Sequence, residues 1–208
     1  LVVFHSFDKY GFYLDEISPN VNIINMNKKD GMDVKLFFRL NKTISSISPD
    51  IVHTHLSAII YASYSSLVNR KIKFIHTVHN DAKKEAEAGI SKLVRKFVFK
   101  MHLFAPVTIS EESQISFENF YHLPSTLIYN GCFPYTQPPE DAICLTRHEI
   151  QALKTNKDAV VILNVARIQP QKNQVQLARA VHALNQRGVK IELFHIGRVA
   201  DKNMENDI

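Results

Sequence analysis

The chain has 208 residues, of which 45% are hydrophobic and 22% charged, a composition typical of soluble globular proteins with a buried core. No apolar run approaches the ~20 residues that span a bilayer, and two cysteines are too few for a disulfide scaffold, so a reducing cytoplasm fits. The formal net charge of +5 suits a phosphate-bearing ligand or an anionic surface without requiring either.

Short apolar runs alternate with segments of helical periodicity along the chain. The runs predict strands at residues 1–4, 21–24, 51–54, 72–78, 105–109, 126–128, 160–165 and 191–196. Several runs are apolar on both faces and rich in Val and Ile, as in parallel sheets covered by helices on both sides. Helices are predicted at residues 34–48, 57–68, 91–102, 111–119, 147–154 and 171–187. This alternation predicts a doubly wound α/β architecture.

A domain boundary is predicted at about residue 132. After Asn130-Gly131, the next residues contain three prolines and little periodicity, which indicates a linker. Residues 1–132 are therefore expected to form one Rossmann-like domain, and residues 133–208 the linker and the first part of a second one. The chain begins at Leu1 in a strand-like run and ends in a polar stretch, residues 201–207, so we expect a piece of something longer.

A basic β–α corner is the first candidate site. The six glycines include no Gly-x-Gly pair, so the dinucleotide fingerprint and the P-loop are both absent, and no serine-hydrolase elbow is present. Any phosphate must be held differently. Arg167 is predicted to follow a buried strand, and Lys172 to lie in the first turn of the next helix, where ligands of α/β sheets and anions bind. Solvated surface cations are the alternative interpretation.

Histidines form the second candidate site. His53 and His55 share one side of a strand, and His76 and His79 lie at the end of the next, so all four are expected at one sheet edge. Only Asp81 is available as a further metal ligand, so no metal is expected, although a metal hydrolase remains an alternative. His53 and His76 are interpreted as structural, and His79 as functional.

A basic helix face is the third candidate. Lys92, Arg95, Lys96 and Lys100 are predicted to share one side of a helix, with apolar residues docked on the sheet from the other side. An ordinary solvated face is the favoured interpretation. Contact with an anionic membrane surface is the alternative.

Five stretches in this order resemble the retaining glycosyltransferases of family 4, including those of bacterial capsule and exopolysaccharide synthesis. They are PDIVHTH at 49–55, IHTVHN at 75–80, VTIS at 107–110, IYNG at 128–131, and LNVAR through KN at 163–173. No single stretch is specific, but their order and spacing are. The resemblance covers nearly the whole chain.

The resemblance implies a GT-B fold, in which a nucleotide-sugar donor binds between two Rossmann-like domains. Arg167 and Lys172 would contact the donor diphosphate, and His79 would face the donor sugar as the catalytic residue. Other residues implied to line the cleft are His55, Asn80, Asn130 and Gly131. Transfer, of hexosyltransferase type, would proceed by front-face displacement with retention, without metal or cofactor, to a glycan or lipid-linked acceptor.

The resemblance also implies a cytoplasmic protein, with a peripheral position on the inner face of the membrane as a further option and no nucleic-acid partner. Two strands precede residues 49–55 where the family usually has three, and the chain stops before the family's Glu-containing motif. Ala166 and Asn173 replace common glycines. We therefore expect the 208-residue piece to bind donor weakly and not to turn over. A nucleotide-sugar epimerase of the same fold and a non-catalytic membrane-associated module remain as alternatives.

Overall fold

The computed structural model describes residues 2–5, 17–86, 89–132 and 134–199, with side chains described from residue 17 onward. The chain divides into two compact units, Leu1–Phe133 and Pro134–Ile208. The strand expected at residues 1–4 is described only over Val2–His5, and the polar stretch 201–207 lies outside the described residues.

Unit 1 alternates parallel strands with helices, which confirms the predicted α/β class. Strands β3, β4, β5 and β6 form one parallel sheet in that order, and β1 pairs with β2 in a separate parallel pair. The elements are β1 (Val2–His5), β2 (Asn22–Asn25), α1 (Val34–Ile47), β3 (Ile51–His55), α2 (Ala58–Val68), β4 (Lys73–Val78), α3 (Ala82–Ala86), α4 (Ile90–Lys100), β5 (Ala105–Thr108), α5 (Glu111–Tyr121) and β6 (Thr126–Leu127).

The core of unit 1 lies against one face of this sheet. On β3, Val52 and Thr54 are buried, whereas Ile51, His53 and His55 are exposed, as strand alternation requires. The buried face packs against the inner sides of α1, α2, α4 and α5. Its largest members are Leu36, Leu40, Ile44, Ile59, Phe74, Val98, Phe99, Phe104 and Phe117. The opposite face of β3 therefore leaves two histidines accessible.

The turn after β5 is fixed by a capping box. The Ser110 side chain accepts a hydrogen bond from the Ser113 backbone N–H at 3.2 Å, and the Ser113 hydroxyl accepts one from the Ser110 N–H at 3.0 Å. Ser110 is therefore the N-cap of α5. Glu111 and Glu112 lie in the first turn, where the positive helix end favours them.

Unit 2 contains one strand–helix–strand repeat preceded by a helix. Its elements are α6 (Glu140–Leu153), β7 (Val160–Val165), a 3-10 turn (Pro170–Lys172), α7 (Gln174–Gln186) and β8 (Ile191–Ile196). Strands β7 and β8 are parallel, with Val160 opposite Ile191. Two predictions were wrong in detail. Helix α6 begins seven residues earlier than expected, and Lys172 lies in the 3-10 turn before α7 rather than in its first turn.

Candidate functional site

Three histidines meet at the carboxyl edge of β3 and β4. The ring centroids of His53 and His55 are 4.4 Å apart, and those of His55 and His79 are 5.1 Å apart. His55 Nδ1 lies 2.8 Å from His79 Nε2. His76 does not join them, because its side chain is buried on the opposite face of β4. The expected cluster of four is therefore a cluster of three.

Two of the three rings, His55 and His79, lie within hydrogen-bonding distance of each other, whereas His53 Nε2 lies 2.8 Å from Thr77 Oγ1. Burial lowers the pKa of His53, and the neighbouring His79 lowers it further. Burial also lowers the pKa of His55, as do the rings of His53 and His79. Since neutral imidazole has one donor and one acceptor nitrogen, His55 and His79 can share a single N–H···N hydrogen bond. Among the described residues, no group of three or more His, Cys, Asp or Glu is arranged to hold a metal ion.

A buried ion pair beside β4 was not predicted from the sequence. Arg95 Nη1 of α4 lies 3.1 Å from Glu85 Oε1 of α3, and both side chains are almost inaccessible to solvent. Arg95 Nη2 donates to the Leu56 carbonyl at 2.7 Å, at the end of β3. Arg95 thus links α4 both to α3 and to the segment that follows β3. The expectation that Arg95 belongs to an exposed basic face was wrong.

His76 completes this network as a structural residue, as expected. Its Nδ1 lies 2.8 Å from Thr54 Oγ1, and its Nε2 lies 3.1 Å from both Arg95 Nη1 and Glu85 Oε1. Burial lowers the pKa of His76, the hydrogen bond with Glu85 opposes that shift, and the Arg95 charge lowers the pKa further.

Glu85 holds the loop that carries His79. Its Oε2 accepts hydrogen bonds from the backbone N–H groups of His79 at 2.9 Å and Asn80 at 3.3 Å. Burial raises the pKa of the Glu85 carboxyl, but hydrogen bonding with His76 and the His79 amide, together with the Arg95 charge, holds it below its usual value. The carboxylate is therefore charged at neutral pH. It fixes the backbone of His79 at the end of β4.

Asp81 closes the same loop as the N-cap of α3. Its Oδ1 accepts from the Lys84 backbone N–H at 3.0 Å, and its Oδ2 accepts from the Ser116 hydroxyl at 2.8 Å. Hydrogen bonds from Lys84 and Ser116 hold the pKa of Asp81 below its usual value. Asp81 is therefore engaged in capping rather than in the histidine cluster.

Asn130 and Gly131 follow β6 at the same sheet edge. Both are exposed, and the preceding Tyr129 hydroxyl donates to Glu111 Oε1 at 3.0 Å. Two strand spacings separate β6 from β4, roughly 10 Å in a parallel sheet. An added Cβ at Gly131 would meet nothing within 4 Å, so crowding does not require glycine there.

In unit 2, Arg167 and Lys172 flank the corner between β7 and α7. Both side chains are exposed, and within the described part of unit 2 neither makes a hydrogen bond or ion pair. Their charges are therefore available to a ligand. Asn173 adopts the left-handed conformation before α7, and its side chain does not cap the helix. The corner offers two cations and a positive helix end together.

Two residues that sequence reasoning missed shape this corner. Gln174 is fully buried, and its Nε2 donates to the Arg167 carbonyl at 2.8 Å. Gly197 follows β8 with φ +149°, and a Cβ there would lie 2.2 Å from the Ala166 carbonyl oxygen. Only glycine permits β8 to run this close to the backbone that leads to Arg167. The sequence did carry a signal for Gln174, because a polar residue begins the helix directly after the basic corner.

The outer side of α4 differs from its prediction. Lys96 and Lys100 are exposed and Lys92 is half-buried, as a basic surface requires. Leu93 and Phe97, which were expected to dock on the sheet, are exposed instead. Phe99 and Leu103 are buried. In the described part of the chain, no helix has the length and apolarity needed to cross a membrane.

Most of the chain matches one known protein family. The sequence profile of the family described as Glycosyltransferase Family 4 matches residues 2–132. This match covers more than half of the chain and includes the histidine cluster and the Glu85–Arg95 pair. No curated protein sequence matches the chain.

Solved structures share the fold. HepE of Anabaena, crystallised in complex with UDP and glucose, superposes with a TM-score of 0.70 at 16% identity, over 99% of this chain and 55% of HepE. A glycosyltransferase from Rickettsia africae superposes with a TM-score of 0.61 at 16% identity, over 99% of this chain and 61% of that protein. The chain therefore spans little more than half the length of these two proteins.

Proposed function

Because the chain belongs to glycosyltransferase family 4, we propose that the protein transfers a sugar from a nucleotide-diphosphate-sugar donor to a glycan or lipid-linked acceptor. The observation that carries this proposal is the family match over residues 2–132, which contains the histidine cluster. The UDP and glucose bound to the structurally similar HepE support a nucleotide sugar as the donor. The acceptor proposed is one of cell-surface polysaccharide synthesis.

Arg167 and Lys172 are proposed to bind the donor diphosphate. The guanidinium of Arg167 can fork two phosphate oxygens, while the mobile ammonium of Lys172 supplies a point charge. Negative charge grows on the nucleotide diphosphate as it leaves. Fixed cations already in place stabilise that charge without reorganisation, so they favour the transition state over the ground state. No metal ion is needed in this scheme.

His79 is proposed to face the donor sugar. Its backbone is held by Glu85 and its ring by His55, so the imidazole is oriented before substrate arrives. The Asn80 backbone N–H also donates to Glu85 Oε2, and Asn130 follows β6 at the carboxyl edge of the sheet. The proposed stereochemical course is retention by front-face displacement, with the donor phosphate taking the acceptor proton.

We place the protein in the cytoplasm. Cys132 and Cys144 are both exposed and free, as a reducing compartment permits. The 208-residue chain by itself is proposed to bind donor weakly and not to turn over.

The test is transfer by the full-length gene product that contains this chain. Release of nucleoside diphosphate is measured with UDP-glucose, UDP-galactose and GDP-mannose, and the product anomer is read by NMR. The double variant Arg167→Ala/Lys172→Ala should lose about 10²–10³-fold in rate, as when donors to a developing charge are removed. Its control is Lys157→Ala/Arg179→Ala, which removes two other exposed cations of unit 2.

Undiminished transfer by Arg167→Ala/Lys172→Ala would refute the diphosphate assignment. An altered donor sugar without nucleoside diphosphate release would instead identify an epimerase. An inverted product anomer would contradict the retaining course alone.

A further inference from the structure

Arg198 adds a third cation to the corner that carries Arg167. The parallel register of β7 and β8 continues beyond Val165, because Ile168 and Val199 form an isolated bridge with the same offset along the chain. The Ile168 N–H donates to the Arg198 carbonyl at 3.0 Å. Arg167 and Arg198 are therefore opposite each other across the ladder, with Cα atoms about 5 Å apart, as is usual for neighbouring strands.

The two opposed guanidinium groups destabilise the protein when no ligand is bound. Like charges directly opposite each other in a sheet are unfavourable. Both side chains are exposed, and within the described part of the chain neither guanidinium makes a hydrogen bond or an ion pair. Two unpaired arginines held opposite each other are typical of a site for a multiply charged anion such as a diphosphate.

The carboxylates nearest along the chain lie at the other edge of this sheet. Between residues 154 and 199, only Asp158 and Glu192 are acidic. Asp158 pairs with Lys190 at 3.6 Å, and Glu192 accepts from the Thr155 hydroxyl at 2.8 Å, both at the amino ends of the strands. The extended chain from Glu192 to Arg198 spans roughly 20 Å, about twice the screening length at physiological salt. These carboxylates therefore do not neutralise the basic corner.

The backbone of both arginines is fixed before a ligand arrives. Gln174 Nε2 donates to the Arg167 carbonyl, and Gln174 Oε1 accepts from the Gln169 N–H at 3.5 Å, so one buried side chain holds two points of the turn after β7. Gly197 permits the close approach that brings Arg198 beside Arg167. The guanidinium groups are thus free while their backbone is held, which favours binding of an anion without reorganisation.

We infer that Arg198 is a third catalytic cation at the donor diphosphate, and that it favours the leaving nucleoside diphosphate over the intact nucleotide sugar. The inference rests on the proposed function, since Arg167 and Lys172 are the partners of Arg198 there. In the intact donor, each of the two phosphates carries one negative charge, and two cations match them. Departure adds a negative charge, and Arg198 supplies the cation for it.

The added charge appears on the departing phosphate oxygen. The bond between the anomeric carbon and this oxygen breaks, and the electron pair stays on the oxygen. The acceptor oxygen bonds to the anomeric carbon, and the acceptor proton goes to the departing phosphate oxygen. Until that proton arrives, the diphosphate carries one negative charge more than in the donor. After transfer, the terminal phosphate ionises again at neutral pH, because its second pKa is about 6.

The first experiment measures affinities by calorimetry with the full-length gene product that contains this chain. Arg198→Gln should bind UDP and pyrophosphate at least about tenfold more weakly, because a hydrogen bond between charged groups is lost. Its affinity for UDP-glucose and for UDP-glucuronate should fall less, about threefold, since their diphosphate carries less charge. The control Arg179→Gln removes another exposed arginine of unit 2 and should change none of these affinities.

The second experiment compares amide exchange of the β7 and β8 peptides in the same two variants. Without ligand, Arg198→Gln should exchange about two- to fivefold more slowly than the unmodified protein, because the repulsion between the two arginines is relieved. With pyrophosphate at a concentration that saturates the unmodified protein, the order should reverse, since that protein gains more protection from the bound anion. Arg179→Gln should follow the unmodified protein in both states.

The third measurement is the transfer rate. Arg198→Gln should lower kcat about tenfold and change KM by no more than about threefold, as expected when an interaction made mainly in the transition state is removed. The inference is overturned by unchanged affinity for UDP and pyrophosphate, by equal losses for UDP and UDP-glucose, or by a loss confined to UDP-glucuronate, which would place Arg198 at the donor sugar. Failure of the proposed function is a separate result, in which Arg167→Ala/Lys172→Ala transfers sugar at the unmodified rate.

Discussion

Removal of the Glu85 carboxylate should release the loop that carries His79. In Glu85→Ala, the buried Arg95 guanidinium loses its counter-charge, and the amides of His79 and Asn80 lose their acceptor. Breaking a buried pair by removing one partner costs about 3–5 kcal/mol. Glu85→Gln keeps the shape and one acceptor oxygen, so the expected loss is smaller, about 1.5–3 kcal/mol.

Amide hydrogen exchange resolved by peptide is the appropriate assay. The chain has two units, so a single global unfolding curve would mix their transitions. Peptides that contain His79 and Asn80 should exchange about a hundredfold faster in Glu85→Ala, whereas β7 and β8 should be unaffected. The control is Glu118→Gln, an exposed carboxylate on α5 outside the network.

A double-mutant cycle separates the ion pair from general packing. If Glu85 and Arg95 act as a pair, Glu85→Gln/Arg95→Met should be less destabilised than the sum of its single variants, with a coupling of about 0.5–3 kcal/mol. Unchanged exchange at His79 in Glu85→Ala, or strictly additive losses in the cycle, would refute the reasoning.

Three further outcomes are expected. Gly197→Ala should destabilise unit 2 by about 2–4 kcal/mol, read from amide exchange of β7 and β8 peptides, because its Cβ would collide with the Ala166 carbonyl at a positive φ, whereas Gly131→Ala should be neutral. Ser110→Ala should cost about 1 kcal/mol by loss of the N-cap, and unchanged amide exchange in α5 peptides would contradict the capping box. His76 has a folded pKa below the ordinary value of 6.5, so the unfolded chain binds more protons in the window below 6.5. Its contribution to stability is therefore full above that pH and falls as the pH is lowered, and His76→Gln should flatten this part of the stability profile.

Strong local patterns predicted most of the fold. The strand limits 160–165 and 191–196 agree with β7 and β8 because both runs are rich in Val, Ile, Leu or Phe and have the length of an ordinary strand. The start of α6 was missed because Pro139, Glu140 and Asp141 were interpreted as linker, although proline followed by acidic residues also begins helices.

In the candidate site, only those features that follow directly from positions along the strands were predicted. Strand parity places His53 and His55 together, and the end of β4 places His79 beside them. The Glu85–Arg95 pair was missed because a charge count groups Arg95 with Lys92 and Lys96. Helical spacing with Val98 and Phe99 instead puts Arg95 on the buried side. Periodicity does not, however, identify Glu85, ten residues earlier, as the partner of Arg95.

Arg95 connects α4 to the carboxyl edge of the sheet. The guanidinium is bonded to the Leu56 carbonyl, to His76 and to Glu85, which in turn grips the His79 amide. A rigid connection therefore runs from the outer helix to both loops that present imidazoles. A tilt or shift of α4 would therefore move both segments and change the position of the His79 backbone.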